Sequence, residues 1–301
     1  MFICDAHCDT LYKRVTETNA APDVTLERLQ EAGVTLQTLA LFSGPDPLFD
    51  RAVQLNAAMR HEFLRLKEEE GWIQITDLKD LKEGQVAFLL SLEGCQVLTP
   101  GLSCVDEFYE IGVRMMSLTW NHENALATSH NVNQHDGLKA FGLDVVKHCQ
   151  QLGIMIDVSH LNDAGVQDVL RKTDVPPLAS HIGCRSLMPA SRNMSDRNLK
   201  DLFKAGGFVG VYFLPYLLTE GEATIEHVVD HIDHLMAIGG EGKIGIGSDF
   251  DGMSKKIEGL EHPGQLKNLF LALEKRGYSR QDIDSIAGKA FIDYATRVMS
   301  N

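Results

Sequence analysis

His7 and Asp9 of Asp5-Ala6-His7-Cys8-Asp9 stand one residue apart. On an extended strand both would project to the same side, with Asp5. An imidazole and a carboxylate so placed can hold one metal ion, although the pattern alone is short and common. Glu93, His160 and His181 add to it, each following an apolar run. Neutral imidazoles and carboxylates are the donors that zinc and similar borderline metals take. One catalytic zinc needs three protein ligands and keeps a position open. Five ligands therefore point to two ions, with His7 and Asp9 on one, His160 and His181 on the other, and Glu93 between. Two ions roughly 3.5–4 Å apart would hold a hydroxide, polarise a scissile carbonyl and stabilise the oxyanion. Locally, His160 could instead cap a helix and Glu93 could bond a backbone amide.

The segment Gly245-Ile246-Gly247-Ser248-Asp249-Phe250-Asp251-Gly252 carries paired carboxylates. Asp249 near the hydroxide could take its proton and pass it to the leaving group. The glycines either admit a ligand close to the backbone or mark a tight barrel corner. Arg192, in Ala190-Ser191-Arg192-Asn193-Met194-Ser195-Asp196, could grip a substrate carboxylate through two N–H donors, or pair with Asp196 on the surface. His227, His231 and His234 share one helical face at i, i+4 and i+7, but the Glu of H-E-x-x-H is missing, which favours a solvated face. Cys8, Cys95 and Cys184 adjoin proposed ligands and read as packing residues.

Eight segments that read as strands position these groups: 2–9, 34–42, 86–93, 113–119, 154–160, 178–181, 208–213 and 243–249. Helical spacing fills most of the gaps, as in 50–70, 138–152, 162–173, 196–204 and 225–238, with further helices at 265–276 and 281–299. Strand then helix, repeated eight times, argues for parallel strands with crossover helices. At 301 residues the closed solution is a (β/α)₈ barrel of one domain, residues 1–301. A doubly wound open sheet would advertise a Gly-rich turn after its first strand, and DAHCDTLY has no glycine. The polar residues then fall at the C-terminal ends of strands, the face where such barrels carry their sites.

Composition narrows the partners. Asp and Glu outnumber Lys and Arg 42 to 28, for a net charge of −14, which disfavours nucleic acid and anionic membrane surfaces. No apolar run approaches the roughly 20 residues that cross a bilayer, and no secretory signal is legible. The six cysteines include no C-x-x-C pair and read as reduced thiols, so a cytoplasmic protein is expected. A homodimer is the base-rate expectation for assembly.

The pieces DAHCDTL, SLEG, LTWN, DVSH, ASHIGCRSL, SRNMSD and IGIGSDFDG, in this order, resemble the membrane (renal) dipeptidase family of the amidohydrolase superfamily. The resemblance implies a distorted (β/α)₈ (TIM) barrel with two zinc ions per chain that hydrolyses dipeptides, L-Xaa-L-Xaa and by extension L-Xaa-D-Xaa. It also implies His7 and Asp9 on one zinc, Glu93 bridging, and His160 and His181 on the other. Asp249 would shuttle the proton, Arg192 would clamp the dipeptide carboxylate, and Tyr212 would lie in the pocket-lining segment. The family name implies a lipid anchor, for which no signal or hydrophobic tail is legible. Mammalian members carry a His after Leu-Thr on the fourth strand; here Trp120 stands there and His122 follows two residues on. That departure keeps open a metal-dependent hydrolase of another amide, such as an N-acyl amino acid. A non-catalytic, metal-stabilised binding barrel is disfavoured, because a binder has no use for Asp249.

Overall fold

The computed structural model describes residues 1–17, 19–82 and 84–300. The described strands are β1 (Cys4–Asp5), β2 (Leu36–Phe42), β3 (Ile73–Gln74), β4 (Ala87–Glu93), β5 (Val113–Ser117), β6 (Met155–Asp157), β7 (Leu178–Ile182), β8 (Phe208–Val211) and β9 (Ile244–Ile246). All pair in parallel, in the order β2-β1-β9-β8-β7-β6-β5-β4, and β2 pairs back onto β4 through seven residues to close the ring. The fold is thus the expected (β/α)₈ barrel. β3, which sequence reading lacks, pairs with Ala87 and Phe88 at the foot of β4, and two half-exposed residues carry no periodicity to betray it.

Most strands are shorter than their apolar runs suggest, because the chain leaves strand geometry where it must aim side chains. β1 stops at Asp5, so alternation does not carry Asp5, His7 and Asp9 onto one face. Helix starts follow local capping: Asn162 Oδ1 accepts from Gly165 N at 2.7 Å and Ser195 Oγ from Asn198 N. The expected helix 281–299 is interrupted by a π-type turn at Ser285–Lys289, where the chain passes under the barrel against β1 and β9.

Inside the barrel the side chains change character from foot to mouth. Leu89, Met115, Met155 and Leu178 form an apolar floor, plugged from below by Phe291, Tyr294 and Ala295 of the helix Ala290–Met299. Two residues on along each strand, the same face presents Ser91, Ser117, Asp157 and Ser180, all buried. On β4 the next residue on that face is Glu93, also buried. In β7 the register shifts between Ala179 and Ile182, and this irregularity turns His181 inward although Ser180 already faces the interior.

Closure on the β7–β9 side requires glycine. A Cβ on Gly247 would lie 1.8 Å from the Ser180 carbonyl oxygen, and one on Gly210 2.0 Å from the same atom. The tight-corner reading of Gly247 therefore holds. Gly247→Ala drives a methyl into backbone and is expected to cost upwards of about 3 kcal/mol of unfolding free energy in denaturant titrations. A loss below about 1 kcal/mol would contradict this account of closure.

Candidate metal centre and substrate cavity

Glu93 ends β4 with its two carboxylate oxygens facing different imidazoles. Oε2 lies 3.6 Å from His7 Nε2, while Oε1 lies 3.0 Å from His160 Nε2 and 3.6 Å from His181 Nε2. His7 Nε2 is also 3.6 Å from Asp9 Oδ2 and 3.8 Å from Asp249 Oδ1. His7, Asp9 and Glu93 form one group with metal-ligating reach, Glu93, His160 and His181 a second, and His7, His181 and Asp249 a third. The structure thus brings together all five expected ligands and Asp249, and every one is buried.

The imidazoles are oriented from behind. His181 Nδ1–H donates to Ser180 Oγ at 2.7 Å, and the Ser180 hydroxyl donates to Asp157 Oδ2 at 2.6 Å. Asp157 is fully buried and also accepts from the Ser117 hydroxyl and from the amides of Ser159 and Ser180. His160 Nδ1–H donates to Asn121 Oδ1 at 2.9 Å. Each ring therefore spends its single N–H on Nδ1 and leaves a lone pair on Nε2. Those two Nε2 atoms are 3.0 Å apart and both face Glu93 Oε1. Lone pairs so converged repel one another unless a cation lies between them. Beneath the other half, Asp5 accepts from Ser248 N at 2.9 Å, Ser248 Oγ at 2.6 Å and His7 N at 3.3 Å. Asp5 is therefore an anchor for the turn bearing Asp249 and not a ligand.

Electrostatics point to missing positive charge. Burial pushes the Glu93 carboxyl well up, and burial with neighbouring Asp9 pushes Asp249 up to about 8. Burial alone would lower His7, yet Glu93, Asp9 and Asp249 together raise it to about 10. His160 and His181 are driven well down by burial, with help from Arg192 and His7 respectively, and are neutral. His7 Nε2 and Asp9 Oδ1 are buried without a hydrogen-bond partner. A Cβ on Gly252 would sit 2.3 Å from Asp9 Oδ2 and 2.4 Å from Asp249 Oδ1, so only glycine lets those carboxylates approach. The residues fit a pair of divalent cations.

Backbone conformation is also unusual here. His160, Asp249 and Asp251 are the non-glycine residues with left-handed φ, at 66°, 64° and 68°, among the described residues. Such conformations cost roughly 1–3 kcal/mol each and collect at functional sites. Asp251 itself turns away from the centre. It accepts from Asp23 N at 2.6 Å and Thr10 Oγ1 at 2.8 Å, with Lys13 Nζ 3.2 Å away, and ties the β9 turn to the first helix.

A cavity of about 240 Å³ opens over the centre, lined by Asp9, Glu93, His160, His181 and Asp249 below and by Trp120, Arg192, Leu214, Tyr216 and Leu217 around the wall. Arg192 is buried, and Asp196 instead bonds Ser186 and His234, so the surface ion pair does not form. Its Nη2 donates to the His181 carbonyl at 2.8 Å and its guanidinium lies 5.8 Å from the Tyr212 ring centroid. Nη1 remains buried and without a partner, a donor aimed at an anion. Tyr212 is fully buried behind Arg192, with its hydroxyl on Asn193, and does not line the cavity. Trp120 does line it; His122 is exposed, 5.6 Å ring to ring behind Trp120, and does not.

Sequence reasoning missed Asn121, His130 and Tyr216, which also line the cavity. Asn121 stands inside the LTWN piece, whereas His130 and Tyr216 carry no spacing signal. Burial with Arg192 and Arg185 pushes His130 down to about 3, so it is neutral. The solvated-face reading of the helical histidines needs correction at His231. It is buried, accepts from Cys184 N at 2.9 Å through Nδ1 and donates to the Leu218 carbonyl at 3.1 Å, which leaves it no lone pair for a metal. Cys8, Cys95 and Cys184 are buried thiols whose acidity burial suppresses, as packing residues should be.

Above pH 6.5 the raised Asp249 and His7 hold protons in the folded chain that the unfolded chain has released or is releasing. The folded state then binds more protons, so its stability falls as pH rises. The depressed His160 and His181 act in the opposite sense only up to their ordinary value near 6.5. Metal-stripped protein is therefore expected to lose melting temperature between pH 6.5 and 8, with added zinc raising it most at the upper end. A stripped protein that gains melting temperature across that window would contradict this reading.

The sequence profile of the membrane dipeptidase family, peptidase family M19, matches residues 1–301. A dipeptidase of Claviceps purpurea is 31% identical over 215 residues, which cover 70% of this chain and 51% of that protein. The chain spans about half the length of the curated relatives it matches. Among solved structures, the probable dipeptidase PvdM from Pseudomonas aeruginosa superposes with a TM-score of 0.91 at 20% identity, over 100% of this chain and 96% of that one. A metallopeptidase from Rhodobacter sphaeroides, liganded with a phosphinate mimic of L-Ala-D-Ala, gives 0.86 at 22% identity over 99% of each. At such identities the likeness shows the fold. The profile match over the whole length places this chain in the membrane dipeptidase family, peptidase family M19.

Proposed function

We propose that this chain is a dipeptidase working with two zinc ions, held by His7, Asp9, Glu93, His160 and His181. The observation that carries the reading is the split of Glu93, one oxygen toward His7 and the other toward His160 and His181. When bound, such a pair of ions polarises the scissile carbonyl and acidifies a water. The chain's own residues supply the rest. Arg192 offers Nη1 to the substrate carboxylate, with Nη2 anchored on the His181 carbonyl so that the guanidinium cannot swing away. Asp249 accepts the proton of the attacking water and delivers it to the departing amine, from its place in the cavity lining with Oδ1 3.8 Å from His7 Nε2.

Cavity size supports a small substrate. About 240 Å³ lies below the roughly 300–1,000 Å³ of typical ligand pockets, and Arg192 at its wall fixes the carboxylate close to the scissile bond. The carboxylates Asp9 and Asp249 favour a substrate with a free amino group, which separates dipeptides from N-acyl amino acids. The mimic bound by the Rhodobacter relative makes an L,D dipeptide a natural member of the substrate panel.

The test is amino-acid release from L,L and L,D dipeptides, with N-acyl amino acids alongside, by zinc-loaded protein with and without chelator. Chelator-sensitive release from dipeptides is expected; release confined to the N-acyl compounds would overturn the assignment. Arg192→Met removes a charge-assisted hydrogen bond and is expected to raise KM for dipeptides roughly 10- to 100-fold. An unchanged KM would remove Arg192 from carboxylate binding.

A further inference from the structure

His160 is the ligand whose position costs most, because it is not glycine and yet holds a φ of 66°. The segment around His130 holds it in two ways. In the backbone, His130 N donates to the His160 carbonyl at 2.9 Å, next to an antiparallel bridge between Ser129 and Leu161. In the side chains, His130 Nε2 and His160 Nδ1 both lie 2.9 Å from the same atom, Asn121 Oδ1. That carbonyl oxygen is an acceptor only, so both ring nitrogens must carry the proton. His130 Nδ1 is then an acceptor, and the Ser191 hydroxyl 3.0 Å away supplies its hydrogen. Ser191 immediately precedes Arg192. A continuous chain thus runs Ser191, His130, Asn121, His160, with both ring N–H groups donated to the Asn121 oxygen.

The orientation of the Asn121 amide decides what His160 offers the centre. With Oδ1 toward both rings, His160 is protonated on Nδ1 and presents a lone pair at Nε2. A flipped amide would donate to both rings, move the His160 proton to Nε2 and aim an N–H at Glu93 Oε1, abolishing the ligand. A lone pair at His160 Nε2 requires the first orientation, and His130 supports it by donating Nε2–H to that oxygen while the Ser191 hydroxyl, which can donate or accept, donates to His130 Nδ1.

We infer that His130 is a positioning residue for the metal ion on the His160 side, fixing the tautomer of His160 through Asn121 and linking that ion to the loop that bears the carboxylate clamp. This rests on the two-ion reading above. Outer partners of metal-bound histidines typically contribute 10- to 100-fold in affinity.

The experiment is zinc competition against a chromophoric chelator, on wild type, His130→Ala and His130→Gln. Wild type is expected to show two zinc affinities. His130→Ala should weaken one of them roughly 10- to 100-fold and leave the other unchanged. His130→Gln should recover most of the loss, because a glutamine amide can donate to Asn121 and accept from Ser191. Long-range proton–nitrogen spectra of the zinc-free protein should show His160 protonated on Nδ1 in wild type and a tautomer mixture in His130→Ala. Both ions held as tightly as in wild type, both weakened together, or no recovery with glutamine would each overturn the assignment. A wild type that binds no zinc would strike the two-ion reading instead. If His130→Ala does not fold, Ser191→Ala decides: its exposed hydroxyl carries no core packing, and its loss should weaken the same ion about threefold. No change in that variant would overturn the inference.

Discussion

Glu93 is a buried carboxylate that two sets of imidazoles approach from opposite sides, and the barrel mouth is arranged around it. Removing that charge from water is costly, and so is bringing Asp9 and Asp249 beside it. The lifted carboxyls, the lone pairs converging on Oε1 and the orphaned His7 Nε2 are three expressions of the same deficit of positive charge. A divalent pair removes all three at once. The barrel supplies rigidity: the ligands come from four different strands or the turns that follow them, so no single loop can relax the crowding.

That crowding is sustained from beneath. The apolar floor gives way to a ring of hydroxyls and one carboxylate before the ligands begin. Asp157 and Asp5 occupy corresponding roles under the two halves. Each is buried, each accepts from serine hydroxyls and backbone amides, and each steadies a turn that carries a left-handed residue, His160 in one case and Asp249 in the other. Hydrogen bonds from several donors satisfy such carboxylates in a dry interior. The same contacts fix ring tautomers, so stability of the barrel and basicity of the ligands share a set of bonds.

Much of this was legible in the sequence, because strand ends in a parallel barrel must converge. His7, Asp9, Glu93, His160, His181 and Asp249 each follow an apolar run, and strand-then-helix alternation was enough to bring them to one mouth. Less was legible where the backbone departs from regular geometry. Strand alternation misassigns Asp5, because β1 ends there, and would turn His181 outward but for the irregularity in β7. Asn121 and His130 become partners of His160 only through the bridge between Ser129 and Leu161, a pairing between loops that no period encodes. His231 shares a helical face with two histidines at the protein surface, yet it is buried against the loops after β7 and β8, which only the tertiary fold reveals.

The account stands on Glu93 joining two ions. Anomalous diffraction at the zinc edge, from crystals grown with zinc, tests this directly. Two peaks roughly 3.5–4 Å apart are expected, one beside His7 and Asp9 and the other beside His160 and His181, with Glu93 between them. A single peak, or a pair that leaves Glu93 outside both coordination spheres, would contradict it.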